Sequence, residues 1–182
     1  MPPILTDHAL VDRILTSHRS ALGTDFDGYR HHVYRVVNCF NALGPATFDG
    51  SPALPIAAAF HDLGIWVDGT FDYLEPSSRL SRRFIEAEGL DEVDPELVHE
   101  LIVQHHKLRP FRAGPWAAVV DQWRRADTVD VSLGLITFGI PRAHIREIQR
   151  RLPDRGFHVG LLRRTGAEFL RKPWNPLPMM RW

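Results

Sequence analysis

The chain has 182 residues, 44% of them hydrophobic, enough for one domain with a substantial buried core. Lysine and arginine together number 22, as do aspartate and glutamate, so no global field draws the protein toward a nucleic-acid polymer or an anionic membrane. The single cysteine, Cys39, reads as a buried thiol, no stretch nears the roughly 18 apolar residues of a membrane span, and the Met1-Pro-Pro start lacks a signal-like apolar run, so a soluble cytoplasmic protein is expected.

Thr6 is placed to cap a first helix in which Leu10, Val11, Ile14, Leu15 and Leu22 recur at helical spacing. Residues 23–28 then read as a loop. A second helix is expected from about Tyr29 to Leu43, stopped by Gly44-Pro45, and a third from Ala53 to Leu63, ended by Gly64. The stretch from Ile65 to Pro76 lacks helical period and reads as a long ordered loop, the kind of segment that often carries function. Ser77 or Ser78 should open the next helix, which ends at Gly89. Asp94-Pro95-Glu96 combines a cap, a first-turn proline and an acidic first turn, and predicts a helix to about Lys107. Pro115 opens another, reaching the Gly134 region. Pro141 starts a basic helix with Ile145, Ile148 and Leu152, and a last helix covers His158 to Leu170. The segment from Lys172 to Trp182 reads as a non-helical tail. No alternating pattern predicts a strand, so the expected class is all-α: one compact domain over 1–182, with its core in about 25–135 and its C-terminal helices and tail in 136–182.

Ten histidines stand out, and helical phase sorts them. At about 100° per residue, Trp116, Val119, Val120, Trp123 and Val131 share one face, and Asp127 lies within about 20° of its centre; Asp130 lies nearer its edge. On the helix from Pro95, His105 falls within about 10° of the apolar stripe, while His106 lies about 110° away and His99 off the stripe. On the second helix His32 points inward and His31 outward. Burying such groups without partners costs several kcal/mol, so His32, His105 and Asp127 on apolar faces, with the dipeptide His61-Asp62 closing an apolar helix, point to a shared polar centre.

The order His32, then His61-Asp62 29 residues later, then Asp127 65 residues beyond, resembles the defining pattern of the HD superfamily of metal-dependent phosphohydrolases. His32-Val-Tyr-Arg35 looks like its first-histidine helix, His61-Asp62-Leu-Gly like its signature, and Ala126-Asp127 like its last-ligand helix. The resemblance spans about residues 25 to 135. It implies a helical bundle in which His32, His61, Asp62 and Asp127 ligate a divalent Mn, Fe, Co, Ni or Zn ion that activates a water. Asp62 would bridge a second ion if one binds. Members with two metals carry further histidines, one of them near the middle, and here residues 79–84 contain none. His105, with His106 flanking the stripe as a further candidate, could supply a later one, so a mononuclear site with His105 beside it is expected.

Asp62, Asp127 and His105 are the catalytic candidates, and Lys107, Arg109 and Arg35 the candidates to bind a substrate phosphate; Arg112, Arg124 and Arg125 are alternatives. The charged residue that often follows the signature is replaced by Ile65-Trp66-Val67, which leaves Asp68, Asp72 or Glu75 as substitutes. Trp66, Phe71 and Tyr73 are expected to pack the loop, with walling of an apolar pocket as the alternative. The leading expectation is hydrolysis of a phosphate ester of a small molecule or nucleotide, with no nucleic-acid polymer or membrane as partner and a homodimer left open. Hydration or oxidation of a small organic molecule on the same fold is the second reading, and a non-catalytic metal-binding domain the third.

Overall fold

A computed structural model describes residues 1–112, 114–174 and 178–180. Among them the chain is all-α, with no strand. Eight helices have eight residues or more: α1 (Ala9–Ser17), α3 (Phe26–Leu43), α4 (Ala53–Phe60), α6 (Leu74–Glu88), α7 (Pro95–Gln104), α8 (Ala117–Val131), α9 (Arg142–Arg151) and α10 (Phe157–Arg171). Two are single turns, α2 (Arg19–Leu22) and α5 (Gly64–Val67). No helix among the described residues is long and apolar enough to cross a membrane.

The bundle is built around α3. Tyr29, His32, Val33, Tyr34, Arg35, Val36, Val37 and Phe40 are all buried, so this helix is enclosed on every side rather than along one stripe. It packs along α8, while α4 lies against α1 and α7, and α6 against α7. All eight residues of α4 are buried, and its Ala57-Ala58-Ala59 run lets neighbours approach closely.

Several ends differ from the sequence expectation. His8, not Thr6, caps α1, its Nδ1 accepting from the Val11 N–H. Residues 23–25 form a 3₁₀ turn and α3 begins at Phe26. Helix α6 starts at Leu74, three residues before Ser77, because Pro76 falls in its first turn, where a missing N–H costs nothing. Ser77 and Ser78 are freed from capping and buried: Ser77 Oγ accepts from the Gly64 N–H at 2.9 Å, and Ser78 Oγ shares a hydrogen bond with His99 Nδ1. Helix α7 stops at Gln104, so His105 and His106 follow the helix rather than lying within it. Asp94 caps it as expected, accepting from the Glu96 and Leu97 N–H groups. Of the expected tail, residues 178–180 form a 3₁₀ turn with Met179 buried against Ile65, Phe71, Tyr73 and Leu74; residues 175–177 and 181–182 lie outside the described ones.

Two helix ends show what glycine does here. At the end of α6 the Leu90 N–H bonds the Ile85 carbonyl and the Gly89 N–H bonds Glu86, with Gly89 at φ 61°. The end of α8 repeats this pattern, Gly134 N–H to Val129 and Leu133 N–H to Asp130, but the left-handed position holds Leu133 at φ 54°. Leucine pays a Cβ penalty there that glycine avoids.

Gly64 is not the helix stop the sequence predicts. It opens α5 and lies where a Cβ would stand 2.8 Å from the Tyr73 carbonyl oxygen and 3.0 Å from the Ser77 nitrogen. Both obstacles are backbone, so Gly64→Ala must push the start of α6 away from the His61-Asp62 turn; a loss of about 2–3 kcal/mol is expected, read by urea denaturation. Leu133→Gly should act oppositely, raising stability by about 1 kcal/mol in the same measurement, because Leu133 is largely exposed and loses little packing.

Candidate metal centre

Four elements converge at the middle of the bundle. Helix α3 supplies His32, the turn after α4 supplies His61 and Asp62, the end of α7 supplies His105 and His106, and α8 supplies Asp127 and Asp130. Except for His106, none of these side chains belongs to a residue more than 4% exposed.

The tautomers follow from what each ring touches. His61 Nδ1 lies 2.8 Å from the Ala58 carbonyl oxygen, His105 Nδ1 lies against the Ile102 carbonyl oxygen, and His32 Nδ1 lies 2.7 Å from Asp130 Oδ2. A carbonyl or carboxylate oxygen only accepts, so each Nδ1 carries the hydrogen. The three Nε2 atoms are left as electron-pair donors, and all three face inward. His32 Nε2 and His61 Nε2 stand 2.9 Å apart, His32 Nε2 is 3.5 Å from Asp62 Oδ2 and 3.7 Å from Asp127 Oδ1, and His61 Nε2 is 3.6 Å from Asp62 Oδ2. Ligands bonded at about 2.0–2.2 Å to one ion lie roughly 3.0–3.4 Å from one another, close to this spacing.

Asp62 presents Oδ2 to His32 and His61 and Oδ1 to His105 Nε2 at 3.2 Å. Asp127 divides likewise: Oδ2 accepts from His106 Nδ1 at 3.2 Å, while Oδ1 is fully buried and has no hydrogen-bond partner among the described residues. A buried, unpartnered carboxylate oxygen beside two imidazole electron pairs is the donor environment a cation satisfies. Charge gives the same answer. Three buried carboxylates, Asp62, Asp127 and Asp130, against one buried guanidinium, Arg35, leave two negative charges when the histidines are neutral, the charge of one divalent ion.

Without an ion, protons occupy that role. Burial alone would lower the His32 pKa, but its hydrogen bonds to Asp130 and Asp62 raise it to about 9. Burial and the neighbouring His32 and His105 hold His61 down at about 4. His32 Nε2 therefore donates to His61 Nε2 in the metal-free protein. Burial pushes Asp62 and Asp127 up, yet the surrounding histidines pull both below the usual carboxylate range.

The site brings together His32, His61, Asp62, Asp127 and His105, all singled out in the sequence. Arg35 goes elsewhere. It sits one turn from His32 on the same buried face, and its guanidinium grips Asp130 through Nε–H at 2.6 Å and a second N–H at 3.0 Å. It is committed to that carboxylate and not open to a substrate. Lys107 lines the cleft beside His106 and Asp127; Arg109 is exposed on the following segment and does not line it. Asp68 pairs with Arg79, and Arg124 with Asp121.

Three contributors escaped helical phase. Asp130, at the edge of the predicted stripe, orients His32 and anchors Arg35; its spacing three residues after Asp127 was the available signal. His106 was placed only at the flank of the inward stripe by extrapolating a helix that ends at Gln104, and the chain's turn there brings it onto Asp127. Tyr73, whose hydroxyl donates to His106 Nε2 at 2.6 Å, carries no sequence signal of that contact. Comparison of the chain with family models, with curated proteins and with solved structures returns no match.

Binding a cation requires displacing the proton on His32. Because that pKa is raised to about 9, competition grows as pH falls below 9, whereas His61, held at about 4, competes only in acid. Apparent affinity for Mn or Ni should fall about tenfold per pH unit between pH 8 and 6, with about one proton released per ion, measured calorimetrically in buffers of different ionisation enthalpy. Affinity flat across this window would mean that His32 is not a ligand.

Proposed function

We propose that this chain is a metal-dependent phosphohydrolase of the HD superfamily, holding one divalent ion through His32, His61, Asp62 and Asp127 and cleaving a phosphate ester of a small molecule or nucleotide. The observation that carries the reading is the buried Asp127 Oδ1, unpartnered among the described residues and facing the electron pairs of His32 and His61 within a cluster two charges short of neutrality. The order of these residues along the chain adds the resemblance to the superfamily.

A divalent ion in this place supplies Lewis acidity toward a phosphoryl oxygen and toward the attacking water. The chain's own groups do the rest. Asp130 and the Ala58 carbonyl hold the His32 and His61 rings in the ligating tautomer, so no reorganisation is needed on binding. Phe157 stacks on His32 with centroids 4.1 Å apart and excludes water from that side. Lys107, which lines the cleft beside His106 and Asp127, is the assigned phosphate-binding cation. In the hydrolysis the water oxygen bonds to phosphorus while its proton passes to His105 Nε2, the ester P–O bond breaks, and the departing alcohol oxygen takes that proton from His105 Nε2, the assigned shuttle. His105 is raised above its ordinary pKa because Asp62 and Asp127 outweigh the effect of burial.

Metal analysis of protein purified without chelator should give about one transition ion per chain, and that protein should hydrolyse para-nitrophenyl phosphate. Asp62→Ala and Asp127→Ala should each lose roughly a thousandfold or more in kcat/KM, together with the ion. A metal-loaded protein inert toward every phosphate ester would overturn the reading.

A further inference from the structure

The candidate metal centre is sealed on most sides and meets solvent at His106, whose side chain is 18% exposed. There it opens into a cleft of about 460 Å³, the size of a small-molecule site, with His106 and Asp127 in its wall. The rest of the lining is unusual for a site that reads a polar ligand. Leu108, Val131, Ile136 and Phe138 line it, and all four are large hydrophobic residues left substantially exposed.

Away from His106, Lys107 and Asp127 at the metal end, three polar side chains in the same wall are occupied. Thr128 Oγ donates to the Arg124 carbonyl, and Ser132 Oγ donates to the Val129 carbonyl while accepting from the Ile136 N–H. The Arg124 guanidinium is turned to Asp121 and the Lys107 carbonyl. The backbone also works to present the apolar side chains: Leu133 and Phe138, at the two ends of the segment after α8, both adopt left-handed φ, 54° and 46°, a conformation that glycine would adopt more cheaply. Among the described residues a nucleobase would find few uncommitted donors and acceptors along this stretch, whereas a hydrocarbon would find apolar side chains leading away from the metal centre.

From this we infer that the cleft bounded by Val131, Ile136 and Phe138 binds the organic part of the substrate, and that the substrate is a phosphomonoester of an apolar alcohol rather than a nucleotide. The inference rests on the phosphohydrolase reading for the head group and on the cleft for the tail, and the two separate experimentally. Metal-loaded protein is assayed for hydrolysis of ethyl, butyl and hexyl phosphate and of adenosine monophosphate, and for calorimetric binding of the matching alkylphosphonates, which have no ester bond to cleave. Expected is a gain of roughly two- to fourfold per added methylene in both kcat/KM and affinity, with adenosine monophosphate poorer than butyl phosphate. Ile136→Glu should flatten the chain-length dependence without changing metal content, and Leu170→Glu, exposed and outside the cleft, should leave it intact.

Hydrolysis without chain-length dependence, or with adenosine monophosphate preferred, overturns the apolar-substrate inference and leaves the hydrolase reading standing. Chain-length-dependent phosphonate binding without turnover of any ester does the reverse, and favours other chemistry on a small organic molecule. A slope that survives Ile136→Glu overturns the assignment of the hydrocarbon to this cleft.

Discussion

Asp62, Asp127 and Asp130 lie buried within reach of a common set of partners, and desolvating three carboxylates at the middle of a small helical protein is the constraint to which the surrounding structure answers. Arg35 offsets one of these charges and can do so only if α3 and α8 run side by side, since Arg35 and His32 both bond Asp130 across that interface. The packing of α3 along α8 is thus chemical as well as apolar. Arg35 also donates to the Leu152 carbonyl and lies 3.7 Å from Asp154, whose carboxylate pairs with His158, and His158 Nε2 bonds the Asp130 carbonyl. The start of α10 is therefore tied to the same carboxylate-bearing turn of α8. Removing any one partner would leave a buried charge uncompensated, which makes the cluster a shared determinant of fold and site.

The remaining negative charge is left for a cation, and how the short helices end prepares the site for one. His61 follows the last residue of α4 and His105 the last residue of α7, and each gives its Nδ1 hydrogen to the carbonyl three residues back. Carbonyls in the last turn of a helix have no intrahelical N–H to accept, so they are available for this role. One feature of helix geometry therefore fixes two tautomers. It also turns the negative ends of two helix dipoles toward the same point, reinforcing the preference for a cation there. Placing the histidines one turn earlier would lose both effects, because the carbonyls would already be engaged.

This dependence on helix ends explains how far the sequence could be read. Within a helix the 100° rule is a physical statement about the backbone, and it selected His32 over His31 and placed Asp127 among the apolar residues of α8, as the structure has them. His105, immediately past the last residue of α7, still keeps helical dihedrals, φ −63° and ψ −25°, and its inward placement held. His106 lies beyond that point and its predicted direction did not. Gly64 read as a stop because glycine often ends helices, whereas here it is required by the approach of Tyr73 and Ser77, which are distant enough in sequence that no local pattern reveals them. Arg35 shows the same limit from another side: its helical phase falls between those of His31 and His32, and the carboxylate that claims it comes from α8, 95 residues away. Local periodicity specifies which way a side chain points, and only the tertiary fold specifies what it meets.

The centre is also asymmetric, and the asymmetry sets the direction from which anything can reach it. On the α3 side Phe157 covers His32, and Tyr29, buried with its hydroxyl accepting from the Asp62 N–H and donating to the Ala59 carbonyl, closes the space behind the turn. On the α7 side His106 stands at the mouth of the centre, held between Asp127 Oδ2 and the Tyr73 hydroxyl. Tyr73 has its own pKa raised far above normal by burial and by Asp62 and Asp127, so it stays a neutral hydroxyl facing His106 Nε2. His106 is thus oriented from both ends while remaining partly open to solvent. His106 and Asp127 both stand in the wall of the apolar cleft, so this partly open ring, which helical phase placed beside the inward stripe, lies where the hydrocarbon surface meets the charged interior.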